Sequence, residues 1–275
     1  MKKNIFISLF AFILFIGCKS QIVTSNNETN TKENTTIPIK EHTIQAVLWQ
    51  QNAAEYKALT YQAYNVAQMQ LENILNKNEF KKPLAIVTDI DETVLDNSPY
   101  SGKQIELDEN YSSSRWAEWV NKKKANAISG AVDFFNYAKN NGVTIFYISN
   151  RSATQTGETV ANIQAKGFPF ADAAHVILKE TSSEKETRRN KVRETHEIIL
   201  FLGDNLSDFS SIFENRSTIQ RNKSADSLHT FFGRKFIVLP NPMYGDWETK
   251  GILEGKYHWT NSQKDSIRHK KITSY

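Results

Sequence analysis

LAIVTDIDETVLDN, residues 84–97, couples a β-branched apolar run to a cluster of acid. Leu84, Ala85, Ile86 and Val87 form a short stretch bounded by polar residues, the pattern of a strand buried on both faces. Asp89, Asp91, Glu92 and Asp96 follow within eight residues. Two carboxylates about 4 Å apart repel by roughly 4 kcal/mol at an effective dielectric near 20. The cluster is therefore either a solvated acidic turn or one side of a cation site. An EF-hand loop is a poor fit, because Val94 stands where that loop needs glycine.

The same strand grammar recurs along the chain. Apolar runs at Val143–Ile148, Val176–Leu178, Ile198–Leu202 and Phe236–Leu239 alternate with helical segments. Gly130–Asn140 carries Ala131, Phe134, Phe135 and Ala138 on one face and ends at Gly142. Thr154–Lys166 is a second helix, stopped by Gly167-Phe168-Pro169. Strands alternating with helices predict an α/β fold, Rossmann-like, with a five-stranded mainly parallel sheet flanked by helices. No internal repeat is visible. From His42 to Leu75 the spacing of Ala63, Val66, Ala67, Leu71, Ile74 and Leu75 is helical. Two helices or one bent helix, with Gln50-Gln51-Asn52 as the joint, are expected there, as a small helical subdomain.

Each strand end carries chemistry. After the first come Asp89 and Asp91, after the second Ser149, Asn150 and Arg151, after the third Lys179, and after the fourth Asp204 and Asp208. In open parallel sheets the C-terminal strand ends share one edge, where ligands bind. Four aspartates, a lysine, a hydroxyl and an amide would thus converge, and four carboxylates in one pocket call for a cation. All-oxygen donors favour Mg²⁺ over zinc or copper. The six histidines make no HxxH or HxxxH pair, and the single cysteine allows no CxxC.

Composition bounds the partners. With 39% hydrophobic residues a core can form, and a net charge of +4 is too small and dispersed to predict a nucleic-acid polymer as partner. Lys264, Arg268, His269, Lys270 and Lys271 read as part of a solvated basic tail, 261–275. At the N-terminus two lysines precede an apolar stretch from Ile5 to Ile16 and then Gly17-Cys18. That stretch suits a secretory signal better than a transmembrane helix. A small residue before a cysteine resembles the bacterial lipoprotein signal, with Phe15 replacing the usual leucine. An ordinary signal peptide with an incidental cysteine is the alternative, and export follows from either. We expect residues 1–17 as signal peptide, lipid attachment at Cys18, a polar tether over 18–40, the helical subdomain over 41–80 and the core with cap insertions over 81–260. The expected location is the cell envelope, at the outer membrane.

The four strand-end signatures, Asp89-Ile90-Asp91-Glu92-Thr93, Ser149, Lys179 and Gly203-Asp204-Asn205-Leu206-Ser207-Asp208, resemble those of the haloacid-dehalogenase-like (HAD) phosphotransferases. IDETVLDNSPY, YISNR, FLGDNLSDF and LPNPMYGDWE narrow the likeness to the class C nonspecific acid phosphatases, bacterial lipoproteins that act as 5′-nucleotidases. With WQQNAAEYKALTYQAYN it covers residues 45–255 or so.

That resemblance implies a magnesium-dependent phosphomonoesterase. Asp89 would be the nucleophile and form an aspartyl-phosphate, while Asp91 would serve as acid and then base. Mg²⁺ would sit on the Asp89 carboxylate, the Asp91 carbonyl and Asp204, with Asp208 in contact directly or through water. Ser149 and Asn150 would bind phosphoryl oxygens, and Lys179 would hold the nucleophile and phosphoryl group together. Trp116 and Tyr244 are the candidates to sandwich a substrate ring, with Trp119 and Trp247 as stand-ins and plain core packing as the alternative. Nucleoside 5′-monophosphates and nicotinamide mononucleotide are the implied substrates. Two other readings stay open: phosphotransfer to an alcohol, and a non-catalytic lipoprotein that carries a ligand such as haem. Oligomeric state is not readable, so a homodimer stays open. Glu92 and Asp96 have no assigned chemistry.

Overall fold

Seven strands and nine α-helices make up the described chain in the computed structural model, which describes residues 38–77 and 80–275. The signal stretch, Cys18 and nearly all of the tether lie outside the described residues. The described chain begins with α1 (Ile44–Asn52) and α2 (Ala54–Leu75), then β1 (Leu84–Thr88) and β2 (Leu95–Asp96). Next come α3 (Ser98–Glu106), α4 (Ser113–Lys122), β3 (Asn126–Ala127) and α5 (Ala131–Asn140). They are followed by β4 (Thr144–Ser152), α6 (Thr156–Ala165), β5 (Val176–Lys179), α7 (Glu186–Thr195) and β6 (Glu197–Gly203). The remainder holds α8 (Thr218–Ser227), β7 (Phe236–Val238), a π-helical turn (Trp247–Ile252) and α9 (Asn261–Lys271).

The five long strands form one parallel sheet in the order β5-β4-β1-β6-β7. β1 is central, with Val87 opposite Phe146 on one side and Phe201 on the other. Its Asp89 amide donates to the Leu202 carbonyl at 2.9 Å, which locks the β1 end to β6. Side-chain alternation divides the core. Ile86, Ile145, Tyr147, Leu200 and Ile237 face α5 and α2, while Val87, Phe146, Phe201 and Phe236 face Val192 of α7 and Phe209. Both faces are covered, as continuous apolar runs require.

The expected α/β architecture is present, and the helix joint falls at Ala53, whose ψ of 127° breaks α1 from α2. The N-terminal helices meet the subdomain description only in part. α1 packs on α3, but Tyr64, Ala67 and Leu71 of α2 belong to the sheet's own core. Gly130 lets α2 and α5 approach: its φ is +89°, and a Cβ there would lie 3.2 Å from Tyr64. The basic run lies in α9, which has no buried residue. Thr260 and Gln263 cap α9 reciprocally, and Arg268 Nη2 reaches Glu248 Oε1 at 2.8 Å. No described helix is long and apolar enough to cross a membrane.

Candidate active site

The ends of β1 and β6 bring three carboxylates together. Asp89, Asp204 and Asp208 each offer an oxygen within 4.8 Å of the other two. Asp208 reaches back because residues 206–208 form a 3₁₀ turn, in which its Oδ2 accepts the Asn205 amide at 3.0 Å. Gly203 makes room for this, since a Cβ there would lie 2.5 Å from Asp208 Oδ2. Asp204 is held by Asn241 Nδ2 at 2.8 Å and Thr93 Oγ1 at 3.3 Å.

Burial pushes the Asp204 carboxyl up to about 8, and the neighbouring Asp208 adds to the rise. Burial likewise raises Asp89 well above the usual carboxylate range, with Asp208, Asp204 and Asp91 adding repulsion against the opposing pull of Lys185. Crowded, buried, oxygen-only donors fit a hard divalent cation, which would hold these groups ionised. Asp204, held by Asn241 and Thr93, lies apart from the lysine that engages both Asp89 and Asp208.

That lysine is Lys185, which corrects the expectation of Lys179. Lys185 Nζ lies 2.5 Å from Asp89 Oδ1 and 2.6 Å from Asp208 Oδ1, buried with both. Burial works against its ammonium, but Asp208 and Asp89 outweigh that cost and raise its pKa. Lys179 closes β5 opposite Ser152, at the far edge of the sheet. The chain needs Glu180–Glu184 to travel from that edge to the centre before α7 begins. Distance along the sheet, not along the sequence, selects the lysine.

Asp91 faces the other way, toward β4. Its Oδ1 accepts from Arg151 Nη2 at 2.7 Å, Arg151 Nε at 2.9 Å and Asn97 Nδ2 at 2.8 Å. Ser149 Oγ donates to Asp91 Oδ2 at 3.1 Å. Asn150 is exposed, and its Oδ1 accepts from Arg188 Nη2 at 2.6 Å. Arg188 Nη1 also donates to the Ser149 carbonyl at 2.6 Å, so α7 clamps the Ser149-Asn150 backbone from below. Ser149 is thus beside the acid, and Asn150 is tied to an arginine.

The two aromatic candidates each touch a residue of the acidic loop or its partner arginine. Tyr244 donates its hydroxyl to Glu92 Oε2, and burial with that neighbour raises its pKa well above the ordinary phenol value. Trp116, on α4, packs edge-on against Tyr100 at 5.0 Å, and its ring lies 5.5 Å from the Arg151 guanidinium carbon. Trp119 donates its indole N–H to Asn97 Oδ1 at 2.7 Å, which ties α4 to the acidic loop. Trp247 sits in the π-helical turn.

Glu92 and Asp96 acquire tasks in shaping the loop. Glu92 adopts φ 57°, is fully buried and accepts the Asn97 amide at 2.8 Å. Burial, then repulsion from Asp91, raises its carboxyl to about 8. Asp96 accepts from Ser98 N at 2.9 Å and Gln50 Nε2 at 3.1 Å, so it starts α3 and fastens α1. Sequence reasoning passed over Lys185, Asn97 and Arg188, and gave Arg151 no role. Arg151 was visible as the third residue of the Ser149-Asn150-Arg151 strand end; the others sit off the strand ends, and only packing reveals them.

Comparison with known proteins agrees with this geometry. The family model for the HAD superfamily, subfamily IIIB (acid phosphatase), matches residues 3–247. The class C acid phosphatase from Bacillus anthracis superposes with a TM-score of 0.84 at 41% identity, covering 87% of this chain and 100% of that one. That protein has also been solved with tungstate bound, with the same scores. A stem 31 kDa glycoprotein of Glycine max is 29% identical over 161 residues, 56% of this chain and 57% of the relative. Acid phosphatase 1 of Solanum lycopersicum is 28% identical over 166 residues, 58% of this chain and 57% of that protein. The match thus spans under two thirds of the length of these curated relatives. A family model that takes in most of the chain and a shared fold at 41% identity lead to one conclusion: this chain belongs to HAD subfamily IIIB, the acid phosphatase family.

Proposed function

We propose that this protein is a magnesium-dependent phosphomonoesterase that acts through an aspartyl-phosphate on Asp89. The observation that carries the reading is the division of two carboxylates, two residues apart, between different cations. Asp89 faces Lys185 and the acidic cluster, while Asp91 faces Arg151 and Ser149. One environment suits a nucleophile and the other a proton carrier.

Asp89 Oδ attacks phosphorus as the ester P–O bond breaks, and Asp91 gives its proton to the departing alkoxide oxygen. Water then attacks the aspartyl-phosphate, Asp91 takes the proton, and free phosphate leaves. Lys185 offsets charge at Asp89, and Ser149, beside Asp91, would turn its hydroxyl to a phosphoryl oxygen of the bound ester. A divalent ion held by Asp89 and Asp204, with the Asp91 carbonyl, would supply further charge neutralisation. The tungstate bound by the Bacillus anthracis relative is an oxyanion, which supports phosphate esters as the substrate class.

Nucleoside 5′-monophosphates, nicotinamide mononucleotide among them, are the proposed substrates, with Trp116 and Tyr244 as the walls for the ring. We extend the proposal to export and lipid anchoring at Cys18. The test is phosphate release from a panel of esters by protein with and without chelator. Full activity after thorough metal removal overturns the metal role, and no turnover of any ester overturns the reading.

A further inference from the structure

We propose that Arg151 is a positioning residue for Asp91 and not a ligand of the transferring phosphoryl group. The inference rests on the reading of Asp91 as proton carrier. Its support is a count of what the guanidinium can still offer. Nε and Nη2 both donate to Asp91, at 2.9 and 2.7 Å. Nη2 also donates to Asn97 Oδ1 at 3.4 Å, and Nη1 donates to Thr159 Oγ1 at 3.3 Å. Of the five N–H groups an arginine carries, four therefore have acceptors inside the protein. The side chain is 2% exposed, and Trp116 lies against its face. An arginine that grips a phosphoryl group presents its fork outward; this fork is turned inward.

The paired contact does something a lysine cannot. Two donors from one rigid plane converge on Asp91 Oδ1, while Ser149 and Asn97 supply one further donor each. The carboxyl is left one orientation, fixed relative to the β1 end that carries Asp89. When the ester P–O bond breaks, the leaving oxygen takes its proton from Asp91, and that transfer depends on placement within hydrogen-bond reach. In the phosphorylation step Arg151 therefore contributes to the rate only for leaving groups that need the proton. A nucleoside alkoxide needs it; a nitrophenolate, stable as an anion, does not. The water step, in which Asp91 is the base, is the same for every ester.

The experiment uses the full chain as wild type, Arg151→Lys and Arg151→Ala, assayed on a nucleoside 5′-monophosphate and on p-nitrophenyl phosphate. Inhibition by inorganic phosphate is measured alongside. Expected is a fall in kcat/KM, which reads the steps up to departure of the alcohol, of about 10²-fold on the nucleotide, the lower edge of what general acid catalysis contributes. The loss on the aryl ester should be far smaller, and phosphate inhibition should stay near wild type. Asp91→Asn and its combination with Arg151→Lys complete a cycle in which the nucleotide losses should not add. Equal losses on both esters, weakened phosphate inhibition or additive losses overturn the assignment. Should Arg151→Ala fail to fold, Arg151→Lys and the cycle decide alone. A wild type inactive on both esters would instead defeat the functional reading beneath it.

Discussion

Replacing Lys185 with methionine removes the one ammonium within reach of Asp89 and Asp208 among the described residues. At 2.5 and 2.6 Å, each contact corresponds to a Coulomb attraction of roughly 6 kcal/mol at an effective dielectric near 20. Much of that is offset in the wild type by the cost of taking the ammonium out of water. Removing one partner of a buried pair leaves the other charge uncompensated, and the measured cost of that is about 3–5 kcal/mol. For a body of this size each kcal/mol moves the melting temperature by about 2–4 °C, so metal-free Lys185→Met should melt about 6–20 °C lower. Magnesium should restore part of the loss, because the ion supplies positive charge to the same carboxylates. Thermal melts of wild type, Lys185→Met and Lys179→Met, each with chelator and with Mg²⁺, read the effect. Phosphate release from both alkyl and aryl esters reads the catalytic one, which should fall for every ester. Near-native melting with full turnover in Lys185→Met would refute the reasoning, as would a Lys179→Met variant that loses what Lys185→Met keeps.

Glu92→Gln tests the buried carboxyl of the acidic loop. Its folded pKa of about 8 lies above the ordinary 4.5, so the unfolded chain releases this proton first as pH rises. The stability that Glu92 contributes is complete below about 4.5 and lost on the way to about 8. Metal-free Glu92→Gln should therefore melt above wild type at the alkaline end of that window, with a flatter pH profile; a steeper one counts against the assignment. Gly203→Ala should push Asp208 off its turn at a cost of about 1–3 kcal/mol and weaken turnover, seen in melts and phosphate release. Asp89→Asn should abolish turnover of every ester and keep the wild-type circular dichroism. A magnesium titration should raise wild-type stability by about 2.7 kcal/mol at a hundredfold excess over Kd, and Asp204→Asn should lose most of that gain.

The five strands were legible because each is a β-branched run with polar neighbours, and the strand-end rule brought Asp89, Asp204 and Asp208 to one place. The same rule chose Lys179 over Lys185. It assumes that chemistry sits at the strand terminus, whereas the β5 terminus lies at the sheet's outer edge and the next loop does the reaching. α7 was invisible for another reason. Its sequence, ETRRNKVRET, has no apolar stripe, and its buried side is Arg188, Arg189 and Val192. Arginine stems can cover apolar surface while the guanidinium finds carbonyls, and periodicity in hydrophobicity does not register that. α9 begins on a reciprocal cap, Thr260 with Gln263, which the reading of its charge run as a tail left out.

The sheet order carries a consequence for how the protein comes to exist. β1 sits between β4 and β6, so the acidic loop is synthesised long before the strand that anchors it and the residues that complete it. Until residues 197–208 have emerged and paired, Asp89 lacks the Leu202 carbonyl that fixes its amide and the Asp208 carboxylate that shares its lysine. Such long-range parallel pairings form late and slowly. A growing or partly folded chain therefore holds these carboxylates without the contacts that fix them. The site is completed as the central strands close, and whatever holds β6 away from β1 holds back its assembly.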